Sequence, residues 1–533
     1  MAFYLLVLIF FIGFLPSPDI SGSWMLTRAL ISLLLIPIFF YKKIRLPSAD
    51  KFKYIIFFLA FISFRSLFTL SRYLAIENVV WYIVLFFVYI VFLNSFRKRD
   101  WKYILYYSSF VAILAILSRL NITDYLISYI KNGMIIKERS WNEAVDLWFF
   151  NSNYLCALFL FSSLRGFLLS SKVKKINIYL ALNLIGIIIC GGESALIAYI
   201  FCYLAGYFHK KRKIIYIAAF SCVVLIFLLI ILSYDNSATL MHRKLFFSNA
   251  LLQFLDNPFF GSGPGHFVIF FNRYLDASLL DIKLTHLPPS IYVHNDILQI
   301  LCENGVFGVL FLLIGLFYIF RDIRSPFSLF FLSLLIFSTM NHAIYFERGM
   351  LTFIIMLSTL SIKKKKMNNF IVLKMFIFCV ICISFMIAAT NLLFAYSKDI
   401  NLLENALIIR PGNYYGMVDL ASLYNNKKEY KKALLLYENA KKINPYNPFL
   451  YKNLSIVRLN LGQKEKALMD IRDEFQYSIP KNRFDIALKG ISYSLRFKDG
   501  DMVKNFIDLA IESAENENEK KKITEILKKI EKQ

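Results

Sequence analysis

The sequence predicts an all-α, polytopic membrane protein that ends in a small helical solenoid. The 533 residues are 58% apolar and include 54 phenylalanines, and the apolar residues cluster in runs long enough to cross a bilayer. Basic residues fall mainly in alternate short loops between these runs. From about residue 398 the sequence changes abruptly to lysine-rich, amphipathic helical segments. We therefore expect a membrane domain at 1–397 and a solenoid at 398–533.

The apolar runs predict about 13 transmembrane helices, although several are shorter than the ~18 residues of a typical span. The first run has neither a basic n-region nor a small-residue cleavage site, which favours an uncleaved helix over a signal peptide. The runs are roughly 3–16, 25–41, 54–70, 78–96, 102–119, 148–169, 176–190, 194–208, 214–233, 306–320, 326–341, 348–362 and 370–396.

The net charge of +25 is explained better by membrane topology than by nucleic-acid binding. Basic clusters such as Lys210–Lys213 and Lys363–Lys366 occupy alternate loops, which is the positive-inside pattern of cytoplasmic loops. The N-terminus is then cytoplasmic, whereas the 234–303 loop and the tail are extracytoplasmic. We expect a multi-pass membrane protein with no nucleic-acid partner.

The tail shows a 34-residue period of the tetratricopeptide type. Small residues at helix crossings and aromatic residues between layers allow paired helices to stack into a solenoid. A degenerate third unit covers roughly 483–516. The best-matching unit and its neighbours contain the pattern residues Ala406, Pro411, Tyr414, Leu420, Ala421, Tyr424, Ala433, Tyr437, Ala440, Pro445, Tyr451, Leu454 and Ala467. Such a tail predicts binding to a protein partner or an acceptor.

The loop at 234–303 contains His242, His266, His286 and His294, four of the six histidines in the chain. Its length is typical of a functional loop. Apolar residues at helical spacing predict a helix on the membrane face that Asn257-Pro258 ends. Asn295 or Asp296 is expected to cap a second, short helix, closed by Asn304-Gly305. Between these helices the glycine-rich turn 261–265 could offer backbone N–H groups to an anion.

Two kinds of chemistry fit this loop poorly. The four histidines are separated by 24, 20 and 8 residues and form no zinc-binding motif. Gly261-Ser262-Gly263 only superficially echoes the G-x-S-x-G elbow of serine hydrolases. The sequence therefore predicts no metal and no cofactor.

A transfer reaction on a lipid-borne diphosphate fits the loop better. A neutral His294 could accept a proton from an acceptor hydroxyl, and Arg243 could bind a diphosphate through forked hydrogen bonds. A lipid-linked substrate would also explain why the protein is embedded in the membrane. The alternative is that His294 is a structural residue near a helix start.

The order of these residues resembles the O-antigen ligase and polymerase family of bacterial membrane glycosyltransferases, most specifically over about 150–320. The resembling pattern is Arg243…Gly261-x-Gly263-x-Gly265…His294-Asn295-Asp296-x-Leu298-Gln299…Glu303-x-Gly305-x-x-Gly308. The resemblance implies metal-independent transfer of a glycan from an undecaprenyl diphosphate carrier to an acceptor outside the inner membrane. It makes His294 the catalytic base and Arg243 a diphosphate ligand. The other residues predicted to bind substrate are Gly263, Gly265, Asn295, Glu303 and Arg348. Some members carry an exported tetratricopeptide tail.

The sequence departs from this family at one position. Many members have a Ser-Arg pair on the outer turn where this chain has Gly192-Glu193. If that Arg grips phosphate, another residue must replace it here, and Arg348, Arg72 and Arg139 are candidates.

Several functions remain open at this stage. The acceptor could be the lipid A core of lipopolysaccharide, a growing glycan as in a polymerase, or protein Ser or Thr. Outside this class, a lipid-linked glycan transporter would need intramembrane charges or inverted repeats, and neither is clear in the sequence. A non-catalytic scaffold that presents the solenoid would not need the His294 constellation.

Overall fold

A computed structural model describes most of the tail and selected parts of the membrane domain. Where it describes the chain, the structure is mostly helical, as predicted. The residues described are 23–47, 49–95, 101–119, 155–156, 158–163, 176–190, 195–200, 203, 238–275, 292–321, 337–338, 354, 358, 364–367 and 371–531.

Helices of the membrane domain alternate with short connections. A 3₁₀ turn, Leu33–Leu35, separates the first two helices. The helices are α1 Ser23–Ser32, α2 Pro37–Phe40, α3 Ala49–Ser66, α4 Arg72–Ser95, α5 Trp101–Arg119, α6 Ile176–Ile189, α7 Ala238–Asp256, α8 Phe267–Phe270, α9 Asp296–Arg321 and α10 Ile371–Tyr396.

Three helices in the described residues are long and apolar enough to cross a membrane: Arg72–Ser95, Asp296–Ile314 and Ile371–Tyr396. Shorter apolar helices include Lys102–Leu117 and Asn177–Ile189. The chain is thus a membrane protein, and the prediction of about 13 spans is not confirmed beyond these segments. Predicted spans at 3–16, 214–233 and 348–362 fall largely or wholly outside the described residues.

The core of the membrane domain forms around α4. Its residues from Trp81 to Leu93 are largely buried and pack with α1, the 3₁₀ turn and α10. Helix α3 packs along α9, and α5 packs along α6. Helix α4, apolar on all sides, is the most buried of the three candidate spans in the described residues.

One two-stranded antiparallel ribbon accompanies the helices in the described residues. Strand β1, Ile44–Pro47, pairs with β2, Lys364–Met367. Both strands come from basic loops that the charge pattern assigns to the same side of the membrane. Nothing in the sequence predicts this pairing, because each strand has only four residues and β2 is almost entirely lysine.

The tail is a series of helical hairpins. Helix starts at 414 and 448, and at 430 and 464, repeat with the predicted 34-residue period. The pattern residues Leu420, Ala421, Tyr424, Ala433 and Tyr437 are all buried in one core. The tail helices are α11 Ile400–Ile409, α12 Tyr414–Asn426, α13 Tyr430–Ile443, α14 Pro448–Asn460, α15 Lys464–Tyr477, α16 Pro480–Phe497, α17 Gly500–Ser513 and α18 Glu517–Glu531.

The tail packs against the membrane domain at two places. Arg410 pairs with Glu77 of α4. Farther along the tail, the Tyr446 hydroxyl accepts a hydrogen bond of 3.1 Å from Arg273, and the Tyr446 ring lies 5.4 Å from that of Phe270. Arg273 and Phe270 belong to the 234–303 loop, so this loop is in direct contact with the tail.

Candidate functional site

The glycine-rich turn inserts into a break in helix α9. Gly305 has φ 64° and ψ −172°, a conformation open to glycine that interrupts the helix. The Val306 and Phe307 amides therefore donate to Pro258 and Phe259 rather than to the carbonyls four residues before them. The freed carbonyls of Cys302 and Glu303 instead accept hydrogen bonds from the Ser262 and Gly263 amides, at 3.0 and 2.8 Å.

These hydrogen bonds correct one prediction: the short helix was expected to end at Asn304-Gly305. The position of the interruption is as predicted, but α9 continues beyond it to Arg321. The physical reason is that the turn supplies partners for the backbone groups that the interruption exposes, so that the helix can resume. The turn and the helix thereby form one rigid unit.

The glycines in the turn allow it to approach neighbouring helices closely. Gly263 has φ +119°, and a Cβ built there would lie 2.2 Å from Thr69 Cγ2. Gly265 has φ +74°, and its Cβ would lie 2.1 Å from Asn78 Nδ2. The Gly263 amide already donates to Glu303 and is not offered to an anion as expected. Substrate binding by Gly263 and Gly265 stays a prediction.

His266 is a structural residue of this turn. It is fully buried, and the Ser71 amide donates to its Nε2 over 2.9 Å. Nε2 must therefore be unprotonated, and the Nδ1–H donates to the Pro264 carbonyl at 3.1 Å. Burial lowers the pKa of His266 to about 4, so the imidazole is neutral near pH 7.

His294 lies next to Phe246 of helix α7. The two rings are nearly parallel, with an interplanar angle of 14° and centroids 5.5 Å apart. His242, one turn earlier on α7, stacks on the same Phe246 ring at 6.2 Å. Phe246 packs in turn with Phe271, Val293 and Leu298, so a rigid apolar cluster supports the imidazole.

The positive charge of Arg243 acts electrostatically on His294. Burial, Arg243 and His242, in that order, lower the pKa of His294 to about 4. The imidazole is therefore neutral near pH 7 and can accept a proton. The structure brings Arg243 and His294, predicted from positions 51 residues apart, into one electrostatic site.

The backbone at His294 is set by its neighbours. His294 has a left-handed φ of 59°, a conformation that costs a non-glycine residue free energy and is held by surrounding contacts. The Asn295 side chain caps α9 by accepting hydrogen bonds from Ile297 and Leu298, both at 3.0 Å. This confirms that Asn295 caps the helix, while its predicted role in substrate binding stays a prediction.

Glu303 lies inside the protein and supports the site without lining an open surface. It is fully buried, and its Oε1 accepts hydrogen bonds from the Phe267 amide at 3.2 Å and from Gln299 at 2.9 Å. Gln299 in turn accepts a bond of 2.6 Å from Val293, the residue before His294. Glu303 is thus linked through Gln299 to the segment that carries His294.

Sequence reasoning gave Phe246 and Gln299 no role in the site, although Gln299 stands in the resembling pattern. Phe246 was assigned to the membrane face with the other apolar residues of α7. Its spacing of four residues from His242 was the available signal, because such pairs share a helix face. Arg348, His286, Arg139 and Glu193 lie outside the described residues, so the structure says nothing of their positions.

A comparison with protein families found a match to the O-antigen ligase family over residues 178–313. The matched region is roughly a quarter of the chain and contains Arg243, the glycine turn, His294 and Glu303. It contains neither Arg348 nor the tail. No curated protein matches the chain significantly. The match and the apolar helices support a membrane protein related to the O-antigen ligases, which are transferases of polysaccharide biosynthesis.

Proposed function

We propose that this protein transfers a glycan from a polyprenyl diphosphate carrier, undecaprenyl diphosphate in bacteria, to an acceptor hydroxyl on the outer side of the inner membrane. The observation that carries the proposal is that the positive charge of Arg243 acts on a half-buried His294 whose imidazole is neutral near pH 7. Both residues lie within the region that matches the O-antigen ligases. A base beside a guanidinium suits the displacement of a diphosphate by a hydroxyl.

In the proposed reaction, a ring nitrogen of His294 takes the proton of the acceptor hydroxyl. The acceptor oxygen forms a bond to the anomeric carbon as the bond from that carbon to the phosphate oxygen breaks. The electron pair leaves with the polyprenyl diphosphate, and Arg243 stabilises the growing negative charge. The proton on His294 then returns to solvent or to the leaving group.

Donor binding would strengthen the base. In the free protein, Arg243 is one of the groups that lower the pKa of His294. A diphosphate bound at Arg243 cancels that positive charge and adds a negative one, and both changes raise the pKa of His294. The proton affinity of His294 would then be highest when the donor is in place.

The remaining predicted ligands have different parts in this proposal. Gly265, Asn295 and Glu303 shape and hold the segment around His294. Arg348 is proposed to bind the second phosphate, in place of the family Arg at the position of Glu193. The tail is proposed to recruit the acceptor or a protein partner, because Tyr446 contacts the loop that carries the site.

The test is transfer by the purified protein in phospholipid vesicles, supplied with a synthetic polyprenyl diphosphate saccharide as donor and a small hydroxyl-bearing saccharide as acceptor. His294→Ala should lower the transfer rate ~10²–10⁴-fold, the usual loss for a general base, with donor affinity nearly unchanged. Arg243→Ala should weaken donor binding, and Arg243→Lys should restore only part of it, because an ammonium lacks the planar fork.

His242→Ala is the matched control, because His242 stacks on the same Phe246 ring. It should cost less than His294→Ala. Parental transfer rates in folded His294→Ala protein would refute the mechanism. The acceptor follows from the surface glycans of a deletion strain: uncapped lipid A core, chains of a single unit, or unglycosylated protein.

A further inference from the structure

The segment Asn257–Gly261 has apolar side chains that face outward. Phe259 is 60% exposed and Phe260 is 54% exposed. Their rings lie 6.0 and 5.4 Å from that of Phe307, which belongs to the candidate span Asp296–Ile314. Phe307 is itself exposed, as are Leu310 and Leu313 farther along this span. The two phenylalanines therefore extend the outer apolar face of a predicted membrane helix.

The backbone carbonyls of this segment have the partners that surroundings without water require. Its four successive carbonyls, at residues 258–261, all accept hydrogen bonds from within the protein. Pro258 and Phe259 accept from the Val306 and Phe307 amides at 2.9 and 3.3 Å. Phe260 and Gly261 accept from the Arg65 guanidinium at 3.4 and 2.7 Å. Lipid excludes irregular backbone mainly because its polar groups lack partners there, and these carbonyls have them.

The segment also joins α9 well inside the helix. Gly305, where the segment is inserted, lies nine residues after Asp296. At ~1.5 Å per residue this is roughly 14 Å along the helix axis. A bilayer's hydrocarbon layer is about 30 Å thick. A helix that spans the membrane from near Asp296 therefore places the segment inside the apolar layer.

We propose that Asn257–Gly261 is a re-entrant segment whose Phe259 and Phe260 side chains contact the acyl chains of bilayer phospholipids. A water-exposed loop would not need a guanidinium and an interrupted helix to bind its carbonyls, and it would not expose two adjacent phenylalanines. The inference does not depend on the proposed transferase activity. It revises the expectation that the whole 234–303 loop is extracytoplasmic.

Photo-cross-linking of the full-length protein tests the inference. Phe259 or Phe260 is replaced by benzoylphenylalanine, and each variant is reconstituted in phosphatidylethanolamine–phosphatidylglycerol vesicles without isoprenoid lipid. After irradiation, intact-protein mass spectrometry measures covalent phospholipid adducts. Two phenylalanines of similar exposure are the controls: Phe378 in the span Ile371–Tyr396, at 58%, and Phe449 in the tail, at 66%.

Phospholipid adducts at 259 and 260 should match those at 378 and exceed those at 449 several-fold. Yields as low as those at 449 would overturn the proposal, as would cross-links to a second copy of the chain. Added polyprenyl phosphate tests whether the apolar contact is with a phospholipid or with an isoprenoid lipid. If it replaced the phospholipid adduct at 259 but not at 378, the surface would be an isoprenoid site rather than a bilayer contact. Because both side chains point outward, either variant alone suffices if the other does not fold.

Discussion

The guanidinium of Arg410 and the carboxylate of Glu77 form a buried ion pair that joins the tail to helix α4. Arg410 also donates to the Ile387 carbonyl at 3.1 Å, the Thr390 hydroxyl at 2.9 Å and the Asn391 side chain at 2.8 Å, all in α10. One side chain thus links the tail to two candidate membrane spans. The tail is thereby held beside the 234–303 loop.

We expect Arg410→Gln to loosen the tail from the membrane domain. Removing one partner of a buried ion pair typically costs ~3–5 kcal/mol, because the other charge stays buried and unpaired. Hydrogen exchange in α11 and faster proteolysis near residue 398 would report the loosening. Lys432→Gln is the control, because Lys432 pairs with Glu429 at the surface, where ion pairs contribute little.

The double variant Glu77→Gln, Arg410→Gln should be less damaging than the sum of the single changes, because no unpaired charge remains. Strict additivity of the three measurements would contradict a direct interaction between these two side chains.

We expect Arg65→Ala to destabilise the turn that inserts into α9. The Arg65 guanidinium donates to Gly261 at 2.7 Å and to Phe68 at 2.9 Å, and an unsatisfied buried carbonyl costs ~1–3 kcal/mol. Thermal unfolding in nanodiscs should show a lower midpoint. Lys53→Ala, an exposed cation on the same helix α3, should leave the midpoint nearly unchanged. Equal midpoints for both variants would mean that the Arg65 hydrogen bonds are not needed.

Local sequence signals predicted the C-terminal end of α7 and the capping of α9, because Asn257-Pro258 and Asn295 act on the adjacent backbone. They also placed an interruption at Gly305. They could not predict that the turn would supply the missing hydrogen bonds, because its partners lie about 40 residues away in the chain. The stacking of Phe246 on His294 escaped prediction for the same reason. Distant pairing depends on the tertiary fold and leaves little trace in a single sequence.

Alanine substitutions at two glycines should separate the free-energy cost of a steric clash from the cost of a positive φ. Gly263→Ala and Gly462→Ala both place a side chain at positive φ, +119° and +75°. At Gly263 the new Cβ meets Thr69 Cγ2 at 2.2 Å, whereas at Gly462 nothing lies within 4 Å. We expect about 1 kcal/mol of destabilisation at Gly462 and several times more at Gly263, measured by thermal unfolding.

A second change tests the steric explanation for Gly263. Replacing Thr69 by Ser removes the methyl group that the new Cβ would meet, so Thr69→Ser should recover part of the stability lost in Gly263→Ala. No recovery would indicate that the Thr69 methyl group does not set the cost.

Acidification should destabilise the protein through His266 and His294. Both have pKa values lowered from 6.5 to about 4, so between pH 6.5 and 4 the unfolded chain binds protons that the folded protein does not. The free energy of unfolding therefore falls as the pH drops through this window, by about 3 kcal/mol for each histidine. His266→Gln should flatten the pH dependence of unfolding, and an unchanged slope would contradict the assignment.

The charge of Arg243 should connect pH with the proposed activity. Arg243→Gln removes a cation that lowers the pKa of His294. The acid limb of the pH profile for kcat/KM, which reports the free enzyme, should then move to higher pH, while burial still keeps its midpoint below 6.5. Lys244→Gln, which removes the neighbouring positive charge on α7, is the control.

The two variants test whether His294 acts as the base or has only a structural role. If His294 is the base, Arg243→Gln shifts the acid limb and Lys244→Gln shifts it less, even though Arg243→Gln also weakens donor binding. If His294 has only a structural role, Arg243→Gln lowers kcat/KM equally at every pH, because the titration of His294 then has no part in the chemical step. An equal loss from pH 4 to 8 would therefore remove His294 as the base while leaving Arg243 as a donor ligand.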